Sequence, residues 1–351
     1  MIKRDKNNPI ITIKDVKPSS EDLIVMGVFN AGVTIFNDEI ILLLRVAETF
    51  KEKSDKYLFA PYYEKGKIKK KSYKLNDKSF DFSDSRVILN KARKKIEGLT
   101  SLSHFRLAKS KDGVNFEVAE KPTLSGKTKY ESWGIEDARI TKMGNNYYIL
   151  YSAISQYGVL PSMIVTKDFC SFSEPKTILP PENKDVVLFP EKINNKYHLL
   201  HRPVPFGIGN LDIWLSTSDD LVHWGNHKHL LSVSERGFDS GRVGAGGVPI
   251  KTPHGWLIIY HAADKNNNYS LTAALLSLEE PEVVTHKLNF PLLKAEEDYE
   301  KEGFFNNVVF SCGEIVKKGI IYLYYGAADD KMALARIDKK KLLNLLIEKD
   351  K

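Results

Sequence analysis

The chain has 351 residues, of which 42% are hydrophobic and 11% aromatic, and it carries a formal net charge of +7. This composition is ample for one large hydrophobic core or two ordinary ones. Its two cysteines, Cys170 and Cys312, are too few for a disulfide framework and lack metal-site spacing, so we expect buried thiols and no metal. There is no apolar leader and no apolar run near the ~20 residues of a membrane span, which predicts a cytoplasmic protein without a membrane partner.

The basic net charge raises the question of a nucleic-acid partner. Lysines concentrate at 67–71 and 339–341. Neither stretch interleaves the aromatic side chains on which a single-strand binder stacks bases. We therefore expect no nucleic acid as a partner, and we expect arginines inside ordered segments to serve an anionic substrate.

Three kinds of segment recur five times along the chain, always in the same order. The first is a predicted innermost strand: FNAGVTIF (from Phe29), EDARITKM (Glu136), LFPEKIN (Leu188), GGVPIKT (Gly246) and NVVFSCGEIV (Asn307). The second is an apolar, aromatic-rich strand: EIILLLRVAE (Glu39), YYILYSAIS (Tyr147), YHLLHRP (Tyr197), WLIIYHAAD (Trp256) and IYLYYGAAD (Ile321). The third is a strand that leads into an acidic turn: FRLAKSKDGVNF (Phe105), SMIVTKDFCSF (Ser162), DIWLSTSDDLVHW (Asp212), LTAALLSLEEP (Leu271) and MALARID (Met332).

Five such copies, mostly spaced by about 50 to 60 residues, predict an all-β five-bladed β-propeller with four-stranded antiparallel blades. A solenoid or a sandwich is the alternative. We expect residues 1–351 to form one propeller domain with an insertion in the first blade at about 49–103, which is either a surface hairpin or a lid or oligomer contact. Short helices are expected at Asn90–Gly98 and at about 339–351.

Polar residues at the starts of the inner strands need an explanation, because these strands line the central channel of a propeller. Residues at such starts are Asn30, Glu136, Asp137, Arg139 and the pair Lys184 and Asp185. Strand-end residues expected to face the same channel are Arg45, Glu48, His201, Arg202, His261, Asp264 and Asp329. Arg242 lies in GRVGAGG, whose glycines let the backbone approach a ligand closely. For any single residue, a satisfied core ion pair is the alternative interpretation.

Glycoside hydrolysis usually takes two carboxylates that flank the scissile bond. Asp137, in WGIEDAR, is the best candidate for the acid. The opposing positions offer cations instead of a second carboxylate: Lys184, Arg202, Arg242 and His261. Such a cluster is a poor catalytic base but binds a phosphate dianion well. The pattern therefore favours phosphate as the nucleophile, without any further cofactor.

Several segments resemble the β-mannoside phosphorylases of glycoside hydrolase family 130: GIEDARIT, KDVVLFPEKINNKYHLLHRP, DIWLSTSDDLVHWGNH, GAGGVPIKTPHGWLIIYHA, and NVVFSCG with YYGAAD. The similarity runs from about Asn30 to Asp329. It implies a five-bladed propeller and an inverting phosphorolysis that gives α-mannose 1-phosphate. It also implies that Asp137 is the general acid, acting through the 3-hydroxyl of the bound mannose.

The resemblance implies roles for further residues. Phosphate ligands fall on Arg202, Arg242, His261 and Lys184. The mannose-binding aspartate of the family falls on Asp329. We also expect Asn30, Arg45, Arg106, Glu136 and Arg139 to bind the substrate. Three positions depart from the family pattern: Ala138 replaces a proline, Ala262 replaces a glycine, and Arg242 stands where lysine is common. None of the three removes a catalytic group.

The substrate linkage is predicted from LTSLSHFRLAKSKDG and the insertion before it, which look similar to members that act on β-1,2-linked mannose oligomers. A β-1,4-mannoside phosphorylase, an inverting β-mannosidase and a carbohydrate-binding propeller without turnover are the alternatives. The expected partners are a β-manno-oligosaccharide and phosphate, and a homo-oligomer remains possible.

Overall fold

The computed structural model describes residues 1–348, and its regular secondary structure is almost entirely β-strand. The strands of the first part are β1 (Ile2–Arg4), β2 (Leu23–Phe36), β3 (Glu39–Phe50), β4 (Tyr57–Glu64), β5 (Lys67–Lys74), β6 (Phe80–Asp81), β7 (Val87–Asn90), β8 (Lys95–Leu99), β9 (Leu102–Ser110), β10 (Glu117–Val118), β11 (Ile135–Met143), β12 (Asn146–Ser155), β13 (Gly158–Thr166) and β14 (Lys176–Thr177). Those of the second part are β15 (Asn183–Leu188), β16 (Tyr197–Pro203), β17 (Ile213–Ser218), β18 (Gly225–Leu231), β19 (Arg242–Ala245), β20 (Ile250–Thr252), β21 (Gly255–Ala263), β22 (Tyr269–Leu276), β23 (Val284–Lys287), β24 (Leu293–Lys294), β25 (Val309–Lys317), β26 (Ile320–Ala327) and β27 (Lys331–Asp338). The α-helices are α1 (Asp298–Lys301) and α2 (Lys339–Glu348).

Five antiparallel sheets make up the body of the protein. Their strand orders are β10-β9-β3-β2, β11-β12-β13-β14, β15-β16-β17-β18, β19-β21-β22-β23 and β1-β27-β26-β25. We number these sheets one to five. In the fourth sheet, β20 adds to β21 and β24 adds to β22.

In sheets one, two and five, the three recurring segments are neighbouring strands. In sheets three and four the inner strand comes earlier than predicted, since β15 ends at Leu188 and β19 ends at Ala245, and of GGVPIKT only Ile250–Thr252 forms a strand, β20. Pro190 and Pro249 in the predicted segments lack the N–H that a continuous ladder needs. The all-β prediction is confirmed.

The hydrophobic cores lie between successive sheets. Along β3, Leu42 and Leu44 face a core shared with sheet five, whereas Ile41 and Leu43 face a core shared with sheet two. Further cores join sheets two and three, three and four, and four and five. Because side chains alternate across a strand, a strand buried on both faces needs an unbroken apolar run. This explains why the second recurring segment is so uniformly hydrophobic.

Sheet five is completed by the N-terminus. The strand β1 pairs with β27, with Lys3 opposite Arg336. The helix α2 follows β27 directly and buries Leu342, Leu343 and Leu346 against the core between sheets four and five. The expected C-terminal helix is therefore present from Lys339, and positions 349–351 lie outside the described residues. Neither described helix has the length and apolar character needed to cross a membrane.

The insertion in sheet one forms two small sheets. One is the hairpin β4-β5 and the other is β6-β7-β8. They share a core of Ala60, Tyr73 and Ile88. The hairpin is docked onto the segment before β11, since the backbone N–H of Tyr63 donates to the carbonyl of Ser132 at 2.7 Å. The insertion thus reaches the edge from which β11 starts.

Two local predictions were wrong. The segment Asn90–Gly98 is not a helix but the end of β7, a turn with Lys94 at φ 50°, and most of β8. Its helix-favouring lysines and arginines are overridden by pairing in the small sheet, because intrinsic helix propensity is a weak preference. Cys170 is exposed in a turn after β13, whereas Cys312 is buried as expected.

Candidate active site

The same backbone distortion recurs in three inner strands, near the start of β11 and β15 and in the middle of β2. Asn30 in β2, Asp137 in β11 and Asp185 in β15 have φ values of 48°, 55° and 54°. Each lies where the register with the next strand shifts. A β-bulge re-aims side chains, and Asn and Asp tolerate the left-handed conformation better than most residues. Three polar side chains are thereby redirected at equivalent positions of consecutive sheets.

Arg45 gathers the first group of predicted site residues. Its Nη1 donates to Asp137 Oδ1 at 3.0 Å, and its Nη2 donates to Glu136 Oε1 at 2.7 Å. Asn30 Nδ2 also donates to Asp137 Oδ1, at 3.0 Å. The guanidinium lies over the ring of Phe29, 4.6 Å from its centroid. The Asp137 carboxylate is therefore held by two donors in a nearly buried position.

Cations control the pKa of Asp137. Burial opposes the charged form, but the nearby Arg45, Arg139 and Lys184 outweigh it and lower the pKa. Asp329, at the end of the β26 hairpin, behaves in the opposite way. Burial raises its pKa to about 6, against the attraction of Arg45. The two carboxyl groups share one guanidinium neighbour, and in the unliganded protein Asp137 is the stronger acid.

Asp185 gathers the second group. Its Oδ2 accepts from Arg202 Nε at 2.6 Å and lies 3.2 Å from His261 Nε2, while its Oδ1 accepts from Arg139 Nη2 at 3.2 Å. Burial opposes the charge, but Arg202 and His261 hold the pKa of Asp185 well below its usual range. Burial also lowers the pKa of His261, against the attraction of Asp185.

Arg139 connects the two groups. It is 1% exposed, so its guanidinium is fully committed inside the protein. Its Nη1 donates to the main-chain carbonyl of Asp137 at 2.9 Å, and its other nitrogens donate to the carbonyls of Ala245 and Gly246 and to Asp185. The candidate acid is thus one guanidinium away from the carboxylate that holds Arg202 and His261. Arg139 is therefore a positioning residue for both groups.

Lys184 and Arg242 complete the cation cluster. Lys184 lies opposite Arg202 in the register of β15 and β16. Arg242 lies opposite Ala263 on β21, and its guanidinium donates to Tyr269 Oη at 2.9 Å and to Asn267 Oδ1 at 2.5 Å. The Tyr269 ring is 6.1 Å from the His261 ring. Arg242 therefore reaches the cluster through Tyr269, a residue that the sequence analysis missed.

Some predicted site residues lie elsewhere. Arg106 is fully buried and donates to His104 Nε2 at 3.1 Å, and Glu48 lies 3.9 Å from its guanidinium. Arg106 and Glu48 therefore belong to a separate cluster inside sheet one. His201 pairs with Asn183 and His227. Asp264 caps its own turn, accepting from the backbone N–H groups of residues 266 and 268. Their strand-end positions did not reveal which way the side chains point.

Asp185 was noted only as the neighbour of Lys184, yet it organises half of the site. The available signal was its repeat position, equivalent to that of Asp137.

Within residues 1–348, we find no group of three or more His, Cys, Asp or Glu side chains arranged to hold a metal ion. A cavity of about 780 Å³ lies between the insertion and the 127–133 segment, and neither Arg202 nor Arg242 lines it.

Comparison with known proteins identifies the family. A model of glycoside hydrolase family 130, described as β-1,4-mannooligosaccharide phosphorylase, matches residues 86–348. The chain belongs to this family. The resemblance found in the sequence is thereby confirmed, and family 130 membership makes the chain an enzyme of the glycoside phosphorylase class.

Individual family 130 relatives are similar over most of the chain. A β-1,2-mannobiose phosphorylase of Listeria innocua is 47% identical over 350 residues, which cover 98% of each chain. A 1,2-β-oligomannan phosphorylase of a Thermoanaerobacter species is 43% identical over 69% of this chain and 80% of its own length. A solved Listeria innocua β-1,2-mannobiose phosphorylase, in complex with β-1,2-mannobiose, superposes with a TM-score of 0.95 at 46% identity, covering 98% of this chain and 99% of that one.

Proposed function

We propose that this chain cleaves β-1,2-linked manno-oligosaccharides with inorganic phosphate, giving α-mannose 1-phosphate and an oligosaccharide one unit shorter. The observation that carries the proposal is the link through Arg139, which donates to the main-chain carbonyl of Asp137 and to Asp185, the carboxylate that holds the cations Arg202 and His261. Such an arrangement suits one proton donor and one bound anion. The names of the Listeria innocua and Thermoanaerobacter relatives support the β-1,2 linkage.

We further propose the architecture and the setting of this enzyme. Five sheets joined in sequence by their cores, with sheet five joined back to sheet one, support a single five-bladed propeller with the site at its axis. Because phosphate supplies the nucleophile and Asp137 the proton, the reaction needs no metal or organic cofactor. A cytoplasmic setting suits it, because phosphate is available there and the charged product is retained.

Phosphate would occupy the cation cluster formed by Arg202, His261, Lys184 and Arg242. A phosphate oxygen attacks the anomeric carbon from the face opposite the glycosidic bond, which forms the new C–O bond with inversion. The glycosidic oxygen leaves with the electron pair and takes the proton of Asp137, directly or through the 3-hydroxyl of the bound mannose. Preorganised cations lower the electrostatic cost of bringing the anion to the sugar.

Binding of phosphate also adjusts the acid. In the unliganded protein the surrounding cations lower the pKa of Asp137, which disfavours the protonated form that the reaction needs. A dianion in the cluster offsets that positive field, so the pKa of Asp137 rises when phosphate binds. Phosphate is therefore both the nucleophile and the condition under which Asp137 holds its proton.

The test is incubation of β-1,2-mannobiose with the protein, with and without phosphate. We expect mannose 1-phosphate and mannose in equal amounts when phosphate is present, and almost no cleavage without it. Equal release of free mannose in both arms would show a hydrolase and contradict the proposal. β-1,4-Mannobiose is the matched substrate for linkage, and activity in the presence of a chelator tests the absence of a metal requirement.

A further inference from the structure

The connection between β16 and β17 exposes two large apolar side chains at the edge of the cation cluster. Phe206 is 101% exposed and Ile208 is 89% exposed. Throughout residues 1–348, the other large hydrophobic side chains are at most 47% exposed. We name residues 205–210, all of which are exposed, the apolar tip. Single exposed hydrophobic side chains are ordinary, but an exposed Phe and an exposed Ile only two residues apart point to a contact made in another state of the protein.

Both ends of the apolar tip are anchored beside proposed phosphate ligands. On one side, Arg202 and Pro203 end β16, and the N–H of Val204 donates to the Glu182 carbonyl at 3.0 Å. On the other side, the carbonyl of Leu211 accepts from the N–H of Val243 at 2.9 Å. Val243 directly follows Arg242. The tip therefore projects from the gap between the strands that carry Arg202 and Arg242.

The backbone of the tip is built to move. Gly207 and Gly209 have φ values of 82° and 95°, in the region that favours glycine. Among described residues, nothing lies within 4 Å of the position that a Cβ of Gly207 would occupy. Two glycines in a short, uncovered connection between firmly anchored ends are typical of a closing loop.

We propose that the apolar tip closes over the bound substrate and that Phe206 and Ile208 contact the hydrocarbon face of a mannosyl residue held at the cation cluster. The inference rests on the proposed function. Closure buries apolar surface that is otherwise in water and excludes water from the site. Water competes with phosphate for the anomeric carbon, so closure of the tip also favours phosphorolysis over hydrolysis. Water attacking in place of phosphate would release free mannose instead of mannose 1-phosphate.

The first experiment compares Phe206→Ala with Val222→Ala. Val222 is 45% exposed in the turn between β17 and β18, at the opposite end of the same sheet. We expect Phe206→Ala to raise the KM for β-1,2-mannobiose roughly tenfold, because the contact of one aromatic side chain is lost. We also expect the ratio of free mannose to mannose 1-phosphate among the products to rise, because more cleavage is by water. The melting temperature should not change. Identical kinetics and product ratios in the two variants would overturn the proposal.

The second experiment places a reporter on the tip as Phe206→Trp, in an Asp137→Asn background that prevents turnover. Addition of β-1,2-mannobiose and phosphate should shift the tryptophan emission to shorter wavelength as the side chain leaves water. An unchanged spectrum at saturating substrate would overturn closure. A blue-shifted spectrum before substrate is added, which depends on protein concentration, would place the tip in a contact between two copies and would also overturn it. Failure of the wild-type protein to form mannose 1-phosphate would count against the proposed function alone, because the spectral shift is still measured with the sugar.

Discussion

At the scale of single residues, Asp137 combines a strained backbone with a charged environment. Its φ of 55° and its two donors, Arg45 and Asn30, fix where the carboxyl group points. Asparagine tolerates the same backbone conformation, so it preserves the bulge while it removes the transferable proton. This makes Asp137→Asn a cleaner test than substitution by alanine.

We predict that Asp137→Asn lowers the rate of phosphorolysis of β-1,2-mannobiose by roughly 100- to 10,000-fold, the usual contribution of general acid catalysis. An aryl β-mannoside with an acidic phenol as leaving group needs little protonation, so its cleavage by the variant should be largely preserved. Initial rates on both substrates test this. An equal loss on both would show that Asp137 binds the sugar but does not supply the proton.

Glu314 is a buried carboxyl group below the site that the proposed reaction does not use. It lies on β25 and is 7% exposed, and the backbone of Gly247 and the guanidinium of Arg139 are polar groups that act on its carboxyl group. Its carboxyl group packs against Gly247, next to the Gly246 carbonyl that accepts from Arg139. Burial raises the pKa of Glu314 to about 8. The folded protein therefore holds a proton here at neutral pH.

We predict from this a change of stability with pH. Between pH ~4.5 and pH ~8 the unfolded chain has released the proton that folded Glu314 retains, so this group makes the free energy of unfolding fall by about 1.4 kcal/mol per pH unit. Glu314→Gln removes that fall. The stability of the variant relative to wild type should rise through this window and level off above it, as measured by urea unfolding. Exposed Glu280→Gln is the control, and parallel curves for the Glu314 variant and wild type would contradict the prediction.

At the scale of elements, the site depends on inner strands that approach each other without intervening side chains. Gly244 on β19 lies opposite His261. A Cβ at Gly244 would lie 2.3 Å from Asp185 Oδ2 and 2.4 Å from His261 Nε2. Such distances force the Asp185 group to move.

We predict that Gly244→Ala raises the KM for phosphate at least tenfold, because displaced Asp185 no longer aligns Arg202 and His261. Gly225→Ala is the matched control, because no atom of the described residues lies within 4 Å of the position that its Cβ would take. Phosphate titrations at saturating mannobiose distinguish the two. Unchanged phosphate KM in Gly244→Ala would mean that the cation cluster does not bind phosphate.

Much of the arrangement of the strands was predictable from the sequence. Unbroken apolar runs and their repetition identified the middle strands of all five sheets and the inner strands of sheets one, two and five, because burial on both faces leaves a strong pattern. The partners of Arg139 and the separate placement of Arg106 were not predictable, since both are arginines in strands and differ only in which carboxylate lies within reach. The short strand β1 was missed because three residues carry too little pattern. The hairpin of β7 and β8 was missed because its composition favours a helix.

At the scale of the whole molecule, an ion pair ties the N-terminal strand β1 to the helix α1. Arg4 Nε and Nη2 donate to the two oxygens of Glu300 at 2.8 and 2.9 Å. Glu300 is 0% exposed and also accepts from Tyr325 Oη at 2.7 Å. Removing one partner of such a pair leaves a buried charge without its main compensation.

We predict that Arg4→Ala lowers the free energy of unfolding by roughly 3 kcal/mol while kcat on β-1,2-mannobiose is unchanged. Urea unfolding followed by circular dichroism measures the first quantity. Lys3→Ala, exposed on the same strand, should have little effect. Equal unfolding midpoints for the two variants would show that the ion pair of Arg4 contributes little to the stability of the protein.

The pairing of β1 with β27 also bears on how the protein is made. The two partner strands lie about 330 positions apart in the chain, so this sheet is completed only once β27 has been made. Until then β1 presents an unpaired strand edge to its surroundings. We therefore expect the yield of folded protein in the cell to depend on chaperones that shield this edge until β27 is available.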